Sequence, residues 1–166
     1  MNKLRLPVLI AVIIIQLLTP VYMIANKYNI LNTGEEYLFK VQPLDPYDAF
    51  RGRYVLLNAR QEVMGDGRYG VITVGADGYA KIASITNDKP ISGAYVKSAS
   101  RNRFDMPIDR YYMDEKLAPE AELLTRQRDT GQEAYVAVRV KNGDLVISGL
   151  YIDGVPIETI IRASMQ

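Results

Sequence analysis

LPVLIAVIIIQLLTPVYMIA, residues 6–25, is a run of 20 residues without a charged side chain. A hydrocarbon core about 30 Å thick needs roughly 20 helical residues to cross, so this run is long enough to span a membrane. The remainder, about 140 residues, has ordinary soluble composition and no second run of this kind. The pattern predicts a single-span anchor carrying one extramembrane domain. The expected organisation is a tail and anchor over residues 1–26, a linker over 27–35, and a β-rich domain over 36–166.

Two other readings of the run stay open. A buried core helix rarely continues this far with only Gln16 and Thr19 as polar interruptions. A cleaved signal peptide fits the basic Lys3 and Arg5, and Pro20 is a helix breaker of the sort that precedes cleavage. Signal h-regions, however, are typically about 7–15 residues long and end at a small-x-small site. The exit here is Tyr22-Met23-Ile24-Ala25-Asn26, with Met23 where the small residue should sit. An uncleaved anchor is the reading carried forward, with membrane lipid contacted by Leu6 to Ala25.

Flanking charge sets the expected direction. The short tail carries the α-amine, Lys3 and Arg5, whereas the other flank offers Lys27 followed by Glu35 and Glu36. Lys and Arg resist translocation, so the tail should remain cytoplasmic and the domain should lie outside. In a bacterium this is a single-pass protein of the inner membrane with an extracytoplasmic domain. Tyr22 and Tyr28 near the exit suit the headgroup layer.

Composition removes several chemistries. The chain has no Cys, no His and no Trp. Disulfides, thiol nucleophiles and thiolate metal sites are excluded together. So are Ser-His-Asp triads and imidazole-bound zinc. With 20 basic and 19 acidic residues, the net charge of +1 leaves no footprint for nucleic acid. No cofactor and no metal is expected.

Within the domain, residues 36–41, 54–63, 69–74, 79–85, 94–98, 134–140, 145–152 and 155–161 carry strand patterns. Asp66-Gly67, Asp77-Gly78, Asn142-Gly143 and Asp153-Gly154 lie between apolar runs, where they favour tight hairpins. An antiparallel meander or barrel-like sheet follows. Residues 117–128, LAPEAELLTRQR, predict one short helix, with Pro119 in its first turn and Gly131 beyond its end.

The candidate chemical constellations each have a plain structural explanation. Gly65 to Gly70 lacks the Gly-Lys-Ser/Thr ending of a phosphate loop, and a tight turn accounts for it. Asp105, Asp109, Asp114 and Glu115 interleave with Arg101, Arg103 and Arg110; a solvated loop of mixed charge explains them without catalysis. A Ser–Lys pair would need Ser84, Ser92, Ser98, Ser100 or Ser148 beside Lys81 or Lys97, and no spacing singles one out.

Residues 43–60, PLDPYDAFRGRYVLLNAR, are the most distinctive local feature. Asp45, Pro46 and Asp48 mark a turn and Gly52 permits an awkward backbone step before a strand. Val55, Leu57 and Ala59 share one strand face, Tyr54, Leu56 and Asn58 the other. Both faces are largely apolar, so a central strand with Leu57 in the core is expected. The segment resembles the signature of the bacterial membrane-anchored GDYXXLXY family. Asp45, Pro46, Arg51, Gly52, Tyr54 and Leu57 match its pattern, while Arg53 replaces the signature Asp and Ala59 the second signature Tyr. A second block, Ile108-Asp109-Arg110-Tyr111-Tyr112 followed by Glu115, is similar to the family's mid-domain stretch.

The resemblance implies membrane anchoring and encoding beside multi-span membrane proteins, which makes such a protein a candidate partner, and it brings no catalytic residue. Were the signature Asp catalytic in relatives, Arg53 could not replace it, because a permanent cation cannot serve as a carboxylate base. Two functions remain in view. One is an accessory or binding module for a membrane-protein or envelope partner, with Arg110, Tyr111, Tyr112 and Glu115 as its candidate surface, since Arg and Tyr anchor interfaces. The other is a membrane-tethered hydrolase of signal-peptidase type. That reading wants a Ser shortly after the anchor, and the first Ser of the chain is Ser84.

Overall fold

A computed structural model describes residues 5–43, 54–59, 65–100, 103–108, 110–113, 117 and 133–164. Helix α1 (Arg5–Thr33) is followed by strands β1 (Glu35–Pro43), β2 (Tyr54–Ala59), β3 (Tyr69–Val74), β4 (Ala80–Thr86) and β5 (Tyr95–Lys97). Then come β6 (Arg110–Tyr112), β7 (Ala134–Lys141), β8 (Asp144–Ile152), β9 (Val155–Pro156) and helix α2 (Ile157–Ser164). All strand pairs are antiparallel. They form a six-stranded sheet in the order β6-β2-β1-β7-β8-β9 and a three-stranded sheet in the order β4-β3-β5. The architecture is mainly β, as the strand patterns predict, in two open sheets rather than a closed barrel.

Helix α1 is apolar and long enough to cross a membrane, with a mean hydropathy of 2.5 in its most apolar stretch; a signal sequence meets the same criterion. The helix does not stop at the end of the apolar run. Residues read as a linker are helical as far as Thr33, and they dock on the sheet. Ile30 is 2% exposed. The Lys27 ammonium donates to the Leu145 carbonyl at 3.1 Å, and Lys141 donates to Thr33 Oγ1 at 2.6 Å and Asn29 Oδ1 at 3.2 Å. Gly34 turns the chain, its N–H donating to the Ile30 carbonyl.

Strand alternation builds the core. Phe39 and Val41 of β1 and Ala134, Val136, Val138 and Val140 of β7 are buried, and their intervening neighbours Lys40, Tyr135 and Arg139 are not, whereas Ala137 on the other face of β7 is buried as well. On β8 the inward set changes parity, from Leu145 to Leu150 and Ile152. The register explains why: Val138 pairs with Ile147 but Ala137 with Gly149, so Ser148 is an extra residue bulged out of the ladder. Its hydroxyl donates to the Ala137 carbonyl at 3.1 Å. Ile72, Ile82 and Val96 of the smaller sheet complete the same core with Phe104, Met106 and Ile108.

Three of the four expected tight turns form. Asn142-Gly143 joins β7 to β8 with φ of 54° and 82°, and Asp153-Gly154 joins β8 to β9 with φ of 48° and 82°, the two positive values that a type I′ turn needs. Asp77-Gly78 closes β3 onto β4, with φ of 80° at Gly78 alone. Asp66-Gly67 does not make a hairpin, because β2 and β3 belong to different sheets. Gly67 answers to packing instead: a Cβ there would lie 2.3 Å from Ile85 Cγ2.

The C-terminal strand expected over 155–161 is a helix after its first two residues. Pro156 has no N–H to extend the ladder. Beyond it Ile157, Ile160 and Ile161 fall on one helical stripe, with Glu158 in the first turn and Arg162 in the last. Ile157 and Ile161 are fully buried. The helix expected over 117–128 lies outside the described residues apart from Leu117, which is buried in a turn. The side chains of β2, Leu57 among them, also lie outside them.

Candidate functional site

The two distinctive blocks of sequence are neighbours in space. Strand β2 pairs with β6, placing Tyr54 opposite Tyr112, Val55 opposite Tyr111 and Leu56 opposite Arg110. The stretch that reads as a loop in the sequence is thus the edge strand beside the distinctive one. Asp45, Pro46, Arg51, Gly52 and Glu115 lie outside the described residues, so the pairing is established for the strand portions alone.

On β6, alternation separates the two tyrosines. Tyr111 is half-buried against the core, and its hydroxyl donates to Glu158 Oε1 in the first turn of α2. Burial, then the Glu158 carboxylate, pushes its phenol well above the usual tyrosine range. Tyr112 is 67% exposed. The candidate surface therefore divides: Tyr111 ties the edge strand to α2, and Tyr112 is presented outward. Glu158 has no sequence signal of its own, because its role depends on α2 folding back over β6.

A second polar group has no counterpart in the sequence reading. Lys40 of β1 lies 3.0 Å from Glu133 Oε1 and 3.5 Å from Asp77 Oδ2, with its ammonium 4.3 Å from the centre of the Tyr79 ring. Tyr79 donates to Glu133 Oε2 at 3.0 Å. Its ring meets Tyr135 edge-on, and Tyr135 stacks on Tyr151, its cross-strand partner, at 5.1 Å. Glu133 holds Lys40 protonated above its usual range, while Lys40 and then Tyr79 hold Glu133 below its own. A lysine kept cationic by two carboxylates is poorly suited to act as a base. Chemically this is an exposed ion-pair and aromatic cluster that pins the β3–β4 turn to the large sheet.

Several of the remaining candidate groups are engaged elsewhere. Lys97 pairs with Asp144 at 2.9 Å. The Ser98 hydroxyl donates to the Arg103 carbonyl and accepts from the N–H groups of Ser100 and Asp105. Neither Ser98 nor Ser148 is aimed at a lysine. Among the described residues no group of three acidic side chains could hold a metal. An open groove of about 460 Å³ lies where α1 meets the sheet, lined in part by Thr33, Glu35, Tyr37 and Lys141. Some of its polar groups pair with one another, as in the 2.6 Å bonds from Tyr37 to Glu35 and from Lys141 to Thr33.

The family model described as GDYXXLXY protein matches residues 16–150. No curated protein and no solved structure matches the chain.

Proposed function

The chain belongs to the GDYXXLXY family, and on that premise we propose that it is a membrane-anchored binding module whose β domain lies outside the cytoplasm and engages a membrane-protein or cell-envelope partner. One observation carries the reading. The apolar helix runs without a break into the domain and is packed there through Ile30, Lys27 and Lys141. Lys27 stands two residues beyond the apolar run, and its ammonium reaches the Leu145 carbonyl. A helix that spans with residues 6–25 therefore holds the β7–β8 turn close to the headgroup layer in one orientation. Such a mount presents a fixed surface to a neighbour in the same membrane. The basic tail keeps the N-terminus cytoplasmic and the domain outside.

The β6 edge, where Tyr112 is exposed, is the contact surface on this reading, and Arg110 is included for its residue type alone. Copurification of the intact chain in mild detergent tests it. Arg110→Ala with Tyr112→Ala should remove the partner while membrane retention and domain stability persist; unchanged copurification would discard this surface. A C-terminal reporter active only outside the cytoplasm should be active, and the membrane-extracted chain should keep its first residues. Loss of about the first 20–26 residues would replace the anchor with a signal peptide.

A further inference from the structure

Gln16 sits near the middle of the apolar run, and two features there are at odds with lipid. The first is its carboxamide, which makes no side-chain hydrogen bond among the described residues. The second is its backbone carbonyl. In an α-helix that carbonyl accepts from the N–H four residues on, and that residue is Pro20, which has none. Side chain and carbonyl share one helix position. Thr19 of the same run is already engaged, since its Oγ1 donates to the Ile15 carbonyl at 2.8 Å. From Val8 to Ile24 the large apolar residues of α1 are exposed. Nothing else among the described residues is long and apolar enough to lie beside α1 in a membrane.

Within hydrocarbon, each unmet polar group carries a penalty, and a neighbouring helix is one means of relieving it. We propose that α1 pairs with the α1 of a second copy of this chain, in parallel, across a seam centred on Gln16. This rests on the reading of α1 as a membrane span. A second copy inserts in the same direction and so brings its Gln16 to the same depth, which no other partner must do. The hydrogen bonding then closes. Each carboxamide has two N–H donors. One donates to the opposite side-chain oxygen, the other to a backbone carbonyl left open by Pro20. Two donors per copy meet two acceptors per copy. The seam extends to Leu9 and Met23, seven residues to either side, the spacing of a left-handed helix pair. Ile14 and Val21 fall on the far side.

The chain has no Cys, so single cysteines report contact without background. In native membranes, full-length Leu9→Cys and Met23→Cys should oxidise to a covalent dimer of the chain, and Ile14→Cys and Val21→Cys should do so far less. Adding Gln16→Leu to Leu9→Cys should cut the dimer roughly three- to tenfold, as for loss of interhelical hydrogen bonds. Gln16→Asn should retain most of it. Equal crosslinking on both faces, no crosslinking, crosslinking into a different protein, or indifference to Gln16→Leu would each overturn the proposal. Alkaline carbonate extraction separates it from the anchor reading. A chain that stays in the pellet without facial crosslinking sinks only the pairing; a chain that washes out, or loses its N-terminus, sinks the anchor as well.

Discussion

The Tyr111 hydroxyl donates to Glu158, so the edge strand of the large sheet is fastened to the last helix of the chain. Because Tyr111 also stands opposite Val55, the bond links the β2 strand, through β6, to α2. That arrangement makes Tyr111 of the second sequence block a clamp, while Tyr112 beside it is exposed.

Tyr111→Phe should keep the ring packing and lose the bond, lowering stability by about 1–2 kcal/mol in urea unfolding of the intact chain in detergent. A double-mutant cycle with Glu158→Gln should show coupling. Strictly additive losses would mean that the pair contributes nothing in solution.

Ile30 joins the helix to the sheet. Ile30→Ala should cost about 2–5 kcal/mol through lost burial and the cavity left behind. Ile91, which is fully exposed, provides the control: Ile91→Ala should change stability by less than about 0.5 kcal/mol. A small effect at Ile30 would show that the domain swings free of the anchor.

Two turn glycines with the same φ of 82° separate strain from crowding. At Gly154 a Cβ meets nothing within 4 Å; at Gly143 it would lie 2.4 Å from the Tyr95 ring. Gly154→Ala should cost about 1–2 kcal/mol, the left-handed penalty alone. Gly143→Ala should add about 1–3 kcal/mol of overpacking. Equal losses in thermal or urea unfolding would show that Tyr95 moves aside freely.

Alkali should destabilise the domain in a defined window. Burial and then the Glu35 carboxylate raise the Tyr37 phenol from 10.0 to about 12, and Tyr79 and Tyr111 shift in the same direction. Above about pH 10 the unfolded chain releases these protons before the folded one does. The stabilisation is therefore complete below about pH 10 and declines as pH rises towards 12. Thermal midpoints should fall across that interval, and Tyr37→Phe should make the fall shallower. An unchanged slope would show that Tyr37 ionises as freely in the fold as outside it.

Features decided by near neighbours were legible in the sequence alone. An uncharged run of 20 residues is apolar whatever surrounds it, so α1 could be read directly. Asn142-Gly143 and Asp153-Gly154 make their turns because positive φ is a property of those residues, and two-residue connections leave the flanking strands little choice but to pair. The alternation on β1 and β7 was equally plain. Where two local patterns compete, tertiary contact chose between them. Residues 157–161 alternate well enough for a strand, but Pro156 ends the ladder and burial of Ile157 and Ile161 favours the helix. Gly67 looked like a turn glycine until Ile85 lay across it. The Ser148 bulge left no mark in composition, yet it decides which residues of β8 face the core. The candidate surface shows the same division. Arg110, Tyr111 and Tyr112 stood out by residue type, but the side chain of Glu158 that holds Tyr111 comes from the far end of the chain. Pairing of distant segments depends on which buried faces fit one another, and that fit is a property of the assembled core rather than of any stretch within it.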